Sequence, residues 1–255
     1  MFAEERYRQI SNLVSADGRV TVAGLSSRFA ITKETVRRDL ALLERDGVLR
    51  RVHGGAIAES SATTNEPSLT SREAAHTSQK LRIAQAALEM VPATGAIVLD
   101  AGTTTGALAG LLAAADLPGL TVITHAVPVA NRAVGSSLQV ELVGGRVRAP
   151  TSAAVGSGTV ARFGRLRADV AFVGANGVSG DFGLSTPDAD EAAVKTAIVR
   201  SARRVVLLAD SSKFNEETLV SFASLEDIDA LVTDLMPDAA LAAAFADADV
   251  EVVIA

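Results

Sequence analysis

The chain has 255 residues, 48% apolar and 21% charged, which is enough for a sizeable core and two domains and too apolar for a disordered chain. It contains no cysteine, so disulfides and thiolate metal sites are excluded and a cytoplasmic protein is expected. No run of 18 apolar residues occurs and the start, MFAEERYRQI, is charged, so neither a membrane span nor a signal peptide is expected. The net charge of −6 is unevenly spread. Residues 1–55 carry a net of +3 and residues 56–255 a net of −9, which suggests a small anion-facing module on a larger acidic body.

Taken in order, residues 4–16 place Ile10, Leu13 and Val14 at helical spacing, with Glu4, Glu5, Arg6 and Arg8 outside, and Asp17-Gly18 ends that helix. Val20–Val22 is short and β-like, and Ala23–Phe29 is a second helix with Leu25 and Phe29 inward. Ala30-Ile31 leads tightly into a third helix, for which Thr32 is a good N-cap. Val36, Leu40 and Leu43 form its apolar stripe; Glu34, Arg37, Arg38 and Arg45 fall on the solvent side, and Gly47 is placed to end it in a left-handed turn. Two short helices with so brief a turn are the helix-turn-helix arrangement, and an arginine-topped helix suits a major groove. The plainer alternative is a surface helix with a Glu34–Arg38 ion pair. Val48–His53, closed by Gly54-Gly55, reads as a basic wing whose Arg50, Arg51 and His53 reach phosphate or the minor groove; the alternative is a domain-closing strand.

The segment VTVAGLSSRFAITKETVRRDLALLERDGVLRRVHGGA resembles the N-terminal signature of DeoR-family transcriptional regulators, through its T-V-R-R-D-L core, the following L-E-x-x-G-x-L-x-R and the terminal H-G-G-A. The resemblance implies a winged helix-turn-helix over residues 1–56 that binds double-stranded operator DNA, with Thr32, Lys33, Thr35, Arg37 and Arg38 on the helix that meets it.

Residues 57–71, IAESSATTNEPSLTS, read as a flexible linker, and 72–255 as a second domain. Arg72–Met90 is expected to be one helix with Leu81, Ala84, Leu88 and Val91 on its apolar side. Strands and helices then alternate. Ala96–Asp100, Thr121–Thr124, Val140–Val143, Val170–Val173, Val205–Ala209, Leu231–Asp234 and Val252–Ile254 are the strands, with helices such as Thr104–Ala115, Pro187–Ala202 and Ala239–Ala246 between them. Near-continuously apolar strands in alternation with helices imply an α/β domain with a mainly parallel sheet, whose ligands bind beyond the carboxyl ends of the strands.

The residues at those ends suit an anion. Asp100-Ala101-Gly102-Thr103-Thr104-Thr105-Gly106 offers close backbone approach, a helix start and three hydroxyls, although a threonine-rich helix start is also ordinary capping. Gly144-Gly145 and Gly174-Ala175-Asn176-Gly177 expose backbone, and Asp210-Ser211-Ser212-Lys213 brings a lysine beside hydroxyls. Glu191 and Lys195 stand at i, i+4 on a helix, either as a surface ion pair or with Lys195 as a phosphate ligand. No P-loop, Rossmann or nucleophile-elbow motif is present, His53, His76 and His125 show no metal-ligand spacing, and no cofactor or metal is expected.

KLRIAQ, D-A-G-T-T-T, L-V-G-G, A-F-V-G-A-N-G-V, E-A-A-V-K and D-S-S-K-F extend the resemblance through the body, which is similar to the effector domain of the same family and, in fold, to ribose-5-phosphate isomerase, glucosamine-6-phosphate deaminase and CoA transferases. It implies sensing of a phosphorylated sugar by Asp100, Gly102, Thr103, Thr104, Thr105, Gly144, Gly145, Gly174, Asn176, Gly177, Glu191, Lys195 and Lys213. Where many members carry Thr-Asn, this chain has Thr124-His125, so ligand identity or pH response is expected to differ at His125 unless it is simply a buried structural residue. The implied function is a repressor of carbohydrate-metabolism genes, a homo-oligomer (dimer or tetramer) to match symmetric DNA. A sugar-phosphate isomerase or deaminase-like enzyme with a fused DNA-binding head is the alternative.

Overall fold

A computed structural model describes residues 3–17, 19–52, 54–58 and 63–255, so His53 lies outside the described residues. They form two compact units, Met1–Ala62 and Thr63–Ala255.

The first unit contains α1 (Ala3–Asp17), β1 (Arg19–Thr21), α2 (Val22–Phe29), α3 (Lys33–Arg45), β2 (Leu49–Val52) and β3 (Gly55–Ala58). Ile10, Val14, Leu25, Val36, Leu40, Leu43 and Leu49 form its core. Thr32 caps α3 by accepting from the Thr35 amide at 3.2 Å, and Gly47, at φ +73°, lets the chain leave. β2 and β3 are an antiparallel hairpin turning at Gly54 (φ +81°), and β1 pairs with β3 on its other side. A side chain on Gly55 would collide with the Val20 carbonyl, which is why glycine stands where the hairpin crosses β1. The strand therefore runs past Gly55 to Ala58, because β1 supplies a partner that hydrophobic patterning does not reveal.

The second unit contains α4 (Leu69–Ala74), α5 (Thr77–Leu88), β4 (Gly95–Leu99), α6 (Thr103–Ala114), β5 (Leu120–Thr124), α7 (Val127–Ala133), β6 (Gln139–Leu142), β7 (Arg146–Arg148), β8 (Ala153–Val155), α8 (Ser157–Phe163), β9 (Ala168–Val173), β10 (Gly177–Ser179), β11 (Gly183–Thr186), α9 (Ala189–Arg200), β12 (Ala202–Leu208), β13 (Val220–Ala223), β14 (Ala230–Thr233), α10 (Ala239–Asp247) and β15 (Glu251–Ile254). Seven strands form one parallel sheet in the order β15-β14-β12-β9-β4-β5-β6. Ile97 and Leu99 face a core built with α5, α6 and α7, and Val98 faces one built with α8, α9 and α10. Burial on both faces is why the central strands β4 and β9 and the second half of β12 are near-continuously apolar, whereas the edge strands β6 and β15 carry exposed polar residues.

The order reverses between β4 and β9: the chain adds β5 and β6 on one side of β4, then β9, β12, β14 and β15 on the other. Such a switch point leaves a crevice beyond the carboxyl ends of the two central strands. The antiparallel β10-β11-β13 sheet and the β7-β8 ribbon are additions of three- and four-residue strands, too short for a periodic signal.

The helix expected over Arg72–Met90 is two helices. His76 adopts a left-handed conformation (φ +54°), and Lys80 Nζ donates to the carbonyls of Arg72 and, at 2.7 Å, Ala75 at the end of α4. The inward face of α5 is Lys80, Ile83, Ala84 and Ala87, whereas Leu81 is exposed.

Candidate DNA interface and effector cleft

In the first unit, Lys33, Arg37 and Arg38 project from the exposed side of α3. Arg37 pairs with Glu34 at 3.4 Å, so the Glu34–Arg38 pair of the surface-helix alternative is not formed, and neither Arg38 nor Lys33 has an ion-pair partner among the described residues. The Thr32 and Thr35 hydroxyls lie 2.9 Å apart and cap the helix, leaving them at its N-terminal tip. On β2, Arg50 and Arg51 are exposed, and the Arg51 amide donates to Glu44 at 2.9 Å, which ties the hairpin to α3. Arg6, expected outside, is buried: its guanidinium grips Asp39 on α3 through Nε at 2.5 Å and Nη2 at 3.0 Å. Asp39 holds the Arg6 pKa above its ordinary value, chiefly through that hydrogen bond. The pair fixes the inner side of α3 and leaves the outer side to its free cations.

In the second unit, a small cleft opens at the switch point. Gly102, Thr103, Thr104 and Thr105 line it from the start of α6, Gly174 and Asn176 from beyond β9, Glu191 and Lys195 from α9, and Lys213 from beyond β12. Arg72, Lys80 and Asp210 line it too. No side chain caps α6, so its first-turn amides are available to an anion. The hydroxyls differ in use. Thr105 donates to the Asp100 carbonyl at 2.8 Å and is fully buried, whereas the Thr103 and Thr104 hydroxyls make no hydrogen bond among the described residues.

Asp100 lies behind the cleft floor with no solvent exposure. Its Oδ2 accepts from Lys195 Nζ and, at 3.1 Å, from the Gly174 amide. Its Oδ1 lies 3.2 Å from His125 Nε2. Burial alone would raise its pKa, but the Lys195 charge, followed by His125, outweighs that and brings it down to about 2. Lys195 also donates to the Gly174 carbonyl at 2.9 Å, so this lysine is already paired and ties the β9 loop to α9. His125 is equally enclosed: Nδ1 donates to the Ala154 carbonyl at 2.7 Å, and Nε2 also faces the Ala101 amide at 3.3 Å. It stands behind Asp100 and outside the cleft lining.

Glu191 does not pair with Lys195 on a helix surface; both are 2% exposed. Its carboxylate lies 3.0 Å from Arg148 Nη1, and its pKa is raised, chiefly by burial. Asp210 and Lys80 are shifted down, Asp210 because Lys213 and Ser212 outweigh its burial, Lys80 because burial disfavours its charge. Gly144, Gly145 and Gly177 stand outside the lining; a Cβ on Gly144 would meet nothing, whereas Gly145 and Gly177 serve packing. A Cβ on Gly145 would strike Thr159 and come within 2.8 Å of the Val155 carbonyl; one on Gly177 would strike the Glu216 carbonyl. Among the described residues no helix is long and apolar enough to cross a membrane.

Residues 6–62 match the family described as DeoR-like helix-turn-helix domain, and residues 75–235 that described as DeoR C terminal sensor domain. The chain is 37% identical over 240 residues to the HTH-type transcriptional regulator GlpR of Haloferax volcanii, covering 94% of this chain and 92% of that one. It is 32% identical over 234 residues to the glycerol-3-phosphate regulon repressor of Escherichia coli, covering 91% of each. It is also 32% identical over 241 residues to the lactose phosphotransferase system repressor of Streptococcus mutans, covering 93% of this chain and 94% of that one. Among solved structures, ribose 5-phosphate isomerase A of Methanocaldococcus jannaschii superposes with a TM-score of 0.42 and 18% identity over 56% of each chain.

Proposed function

The chain belongs to the DeoR family of DNA-binding transcriptional regulators, and from that premise we propose that it represses carbohydrate-metabolism genes and is released from operator DNA by a phosphorylated sugar or polyol bound in the cleft. The observation that carries the reading is the convergence of the uncapped α6 N-terminus with Arg72, Lys80 and Lys213 at the switch point. Backbone amides and a helix dipole favour a phosphate there, and Thr103 and Thr104 add donors. Lys195, already engaged by Asp100, shapes the floor, so the phosphate falls to Lys213 and Arg72. Glu191, Asn176 and Asp210 face the rest of the ligand as hydroxyl partners.

On the DNA side, Lys33, Arg37 and Arg38 enter the major groove from α3, and Arg50 and Arg51 hold flanking phosphates. Two-fold operators call for a dimer or a higher, even-numbered assembly, working in the cytoplasm. Release requires that the ligand bind the DNA-incompetent state more tightly.

The test is fluorescence anisotropy of the whole protein on DNA from upstream of its own and neighbouring genes at fixed salt. Glycerol 3-phosphate is titrated first, given the E. coli relative's name, followed by hexose and pentose phosphates. One of these reverses specific binding, and a Thr103→Val/Thr104→Val variant keeps DNA affinity but loses the response. Specific binding unmoved by every phosphorylated sugar rejects the effector class; no specific binding rejects the DNA assignment.

A further inference from the structure

Residues 63–68 open the second unit and lead into α4: the Leu219 amide donates to the Thr63 carbonyl at 2.9 Å, and the Ser68 hydroxyl caps α4. Between these anchors the Glu66 side chain is only 4% exposed, held between two guanidiniums. On one side it pairs with Arg148, which is otherwise well served by Glu191 at 3.0 Å and Asp188 at 3.1 Å. On the other side Glu66 Oε1 lies 3.6 Å from Arg72 Nη2.

That second contact is poor. Glu66 Oε1 and Arg72 Nε are both buried without a hydrogen-bond partner among the described residues. Each orphan costs free energy that a better partner would recover. Arg72 also lines the cleft, so an incoming anion reaches it from the ligand side. Its Nη2 donates to the Pro150 carbonyl at 2.8 Å, which holds the guanidinium in place for either carboxylate or ligand.

We propose that Glu66 is an internal competitor for Arg72, so that an anion bound in the cleft takes over Arg72 and loosens residues 63–68. This rests on the cleft being the effector site, and it names the step by which occupancy reaches the chain leading to the head. It also sets a charge threshold. A compact dianion competes with a carboxylate for Arg72, whereas a neutral sugar leaves the Glu66 contact in place.

The experiment uses full-length protein with inorganic phosphate as probe, reading affinity by calorimetry and the Leu219 amide by hydrogen exchange. In the wild type, phosphate accelerates exchange at Leu219. Glu66→Gln binds phosphate about fivefold more tightly, the size of one weak, poorly aligned ion pair, and exchanges rapidly at Leu219 without ligand. Glu66→Asp, which stays charged beside Arg148 but withdraws from Arg72, reproduces the affinity gain and guards against a folding defect in the first variant. Phosphate binding with unchanged Leu219 exchange, or equal affinity in the wild type and both variants, overturns the competitor role and leaves the effector reading intact. Phosphate binding to none of the three proteins overturns both.

Discussion

Lys195 on α9 and Asp100 at the end of β4 form an ion pair with almost no solvent exposure, joining a helix to the central strand under the cleft. Removing one member leaves the other charged in a place water does not reach. Lys195→Met is therefore expected to destabilise the second unit by about 3–5 kcal/mol, read as a lower urea midpoint. The pH dependence follows. In the wild type the folded pKa of Asp100 is depressed, so its contribution is present above the ordinary value of 3.8 and fades as pH falls towards about 2. In the variant, burial without the lysine pushes the carboxyl up, so the loss of stability is smaller at pH 4 than at pH 7. An equal loss at both pH values would contradict the assigned pairing.

Glu191 behaves oppositely. Its folded pKa is raised above 4.5, so it contributes stability below that value and the contribution is lost as pH rises through the raised one. Glu191→Gln is expected to flatten the fall in stability just above pH 4.5, in a series of urea melts. Little is lost at neutral pH, since Arg148 keeps Glu66 and Asp188.

In the first unit, Arg6→Met alone strands Asp39 and costs about 3–5 kcal/mol. Arg6→Met/Asp39→Leu removes both charges and regains most of it. Thermal melts of the four combinations measure the coupling, and additive losses would show that the pair contributes nothing as a pair.

Arg38→Ala is expected to leave the fold intact, because the side chain is exposed, and to weaken operator binding. If Arg38 holds a phosphate, the slope of log affinity against log salt shrinks by about 1; if it reads a guanine, the slope holds and one position of the operator loses its preference. Thr32→Ala removes the cap of the same helix and costs about 1 kcal/mol of stability.

Gly145→Ala should destabilise the fold, through the collision with Thr159 and Val155, while leaving effector affinity per folded molecule unchanged. A selective loss of effector binding would return Gly145 to the site.

The central parallel strands are legible in the sequence because both faces are covered and each reads as an apolar run, and the edge strands β6 and β15 show shorter apolar pairs between polar residues. The loops after them follow from topology, which is how Gly102–Thr105, Gly174, Asn176 and Lys213 come to be named. Buried charges are harder, because a charged residue is ordinarily assigned to solvent. Yet the signal exists: Lys80 shares the i, i+3, i+4, i+7 stripe with Ile83, Ala84 and Ala87, and Arg6 stands at i with Ile10 and Val14 at i+4 and i+8. A charge on an apolar stripe asks for a buried partner, and Asp39, between Val36 and Leu43, answers that question for Arg6. Arg72 and Glu66 carry no such pattern. They meet Arg148 and Pro150 across some eighty residues of sequence, a proximity that only the folded chain supplies.

The reversal of strand order has one more result. Every parallel strand delivers its last residue to the same rim, so loop side chains such as Asn176 or Lys213 can be exchanged there while the layers below are untouched. Asp100, locked beneath that rim by Lys195 and the Gly174 amide, is not free to drift. The scaffold thus separates exchangeable loop side chains at the rim from a fixed buried ion pair beneath them.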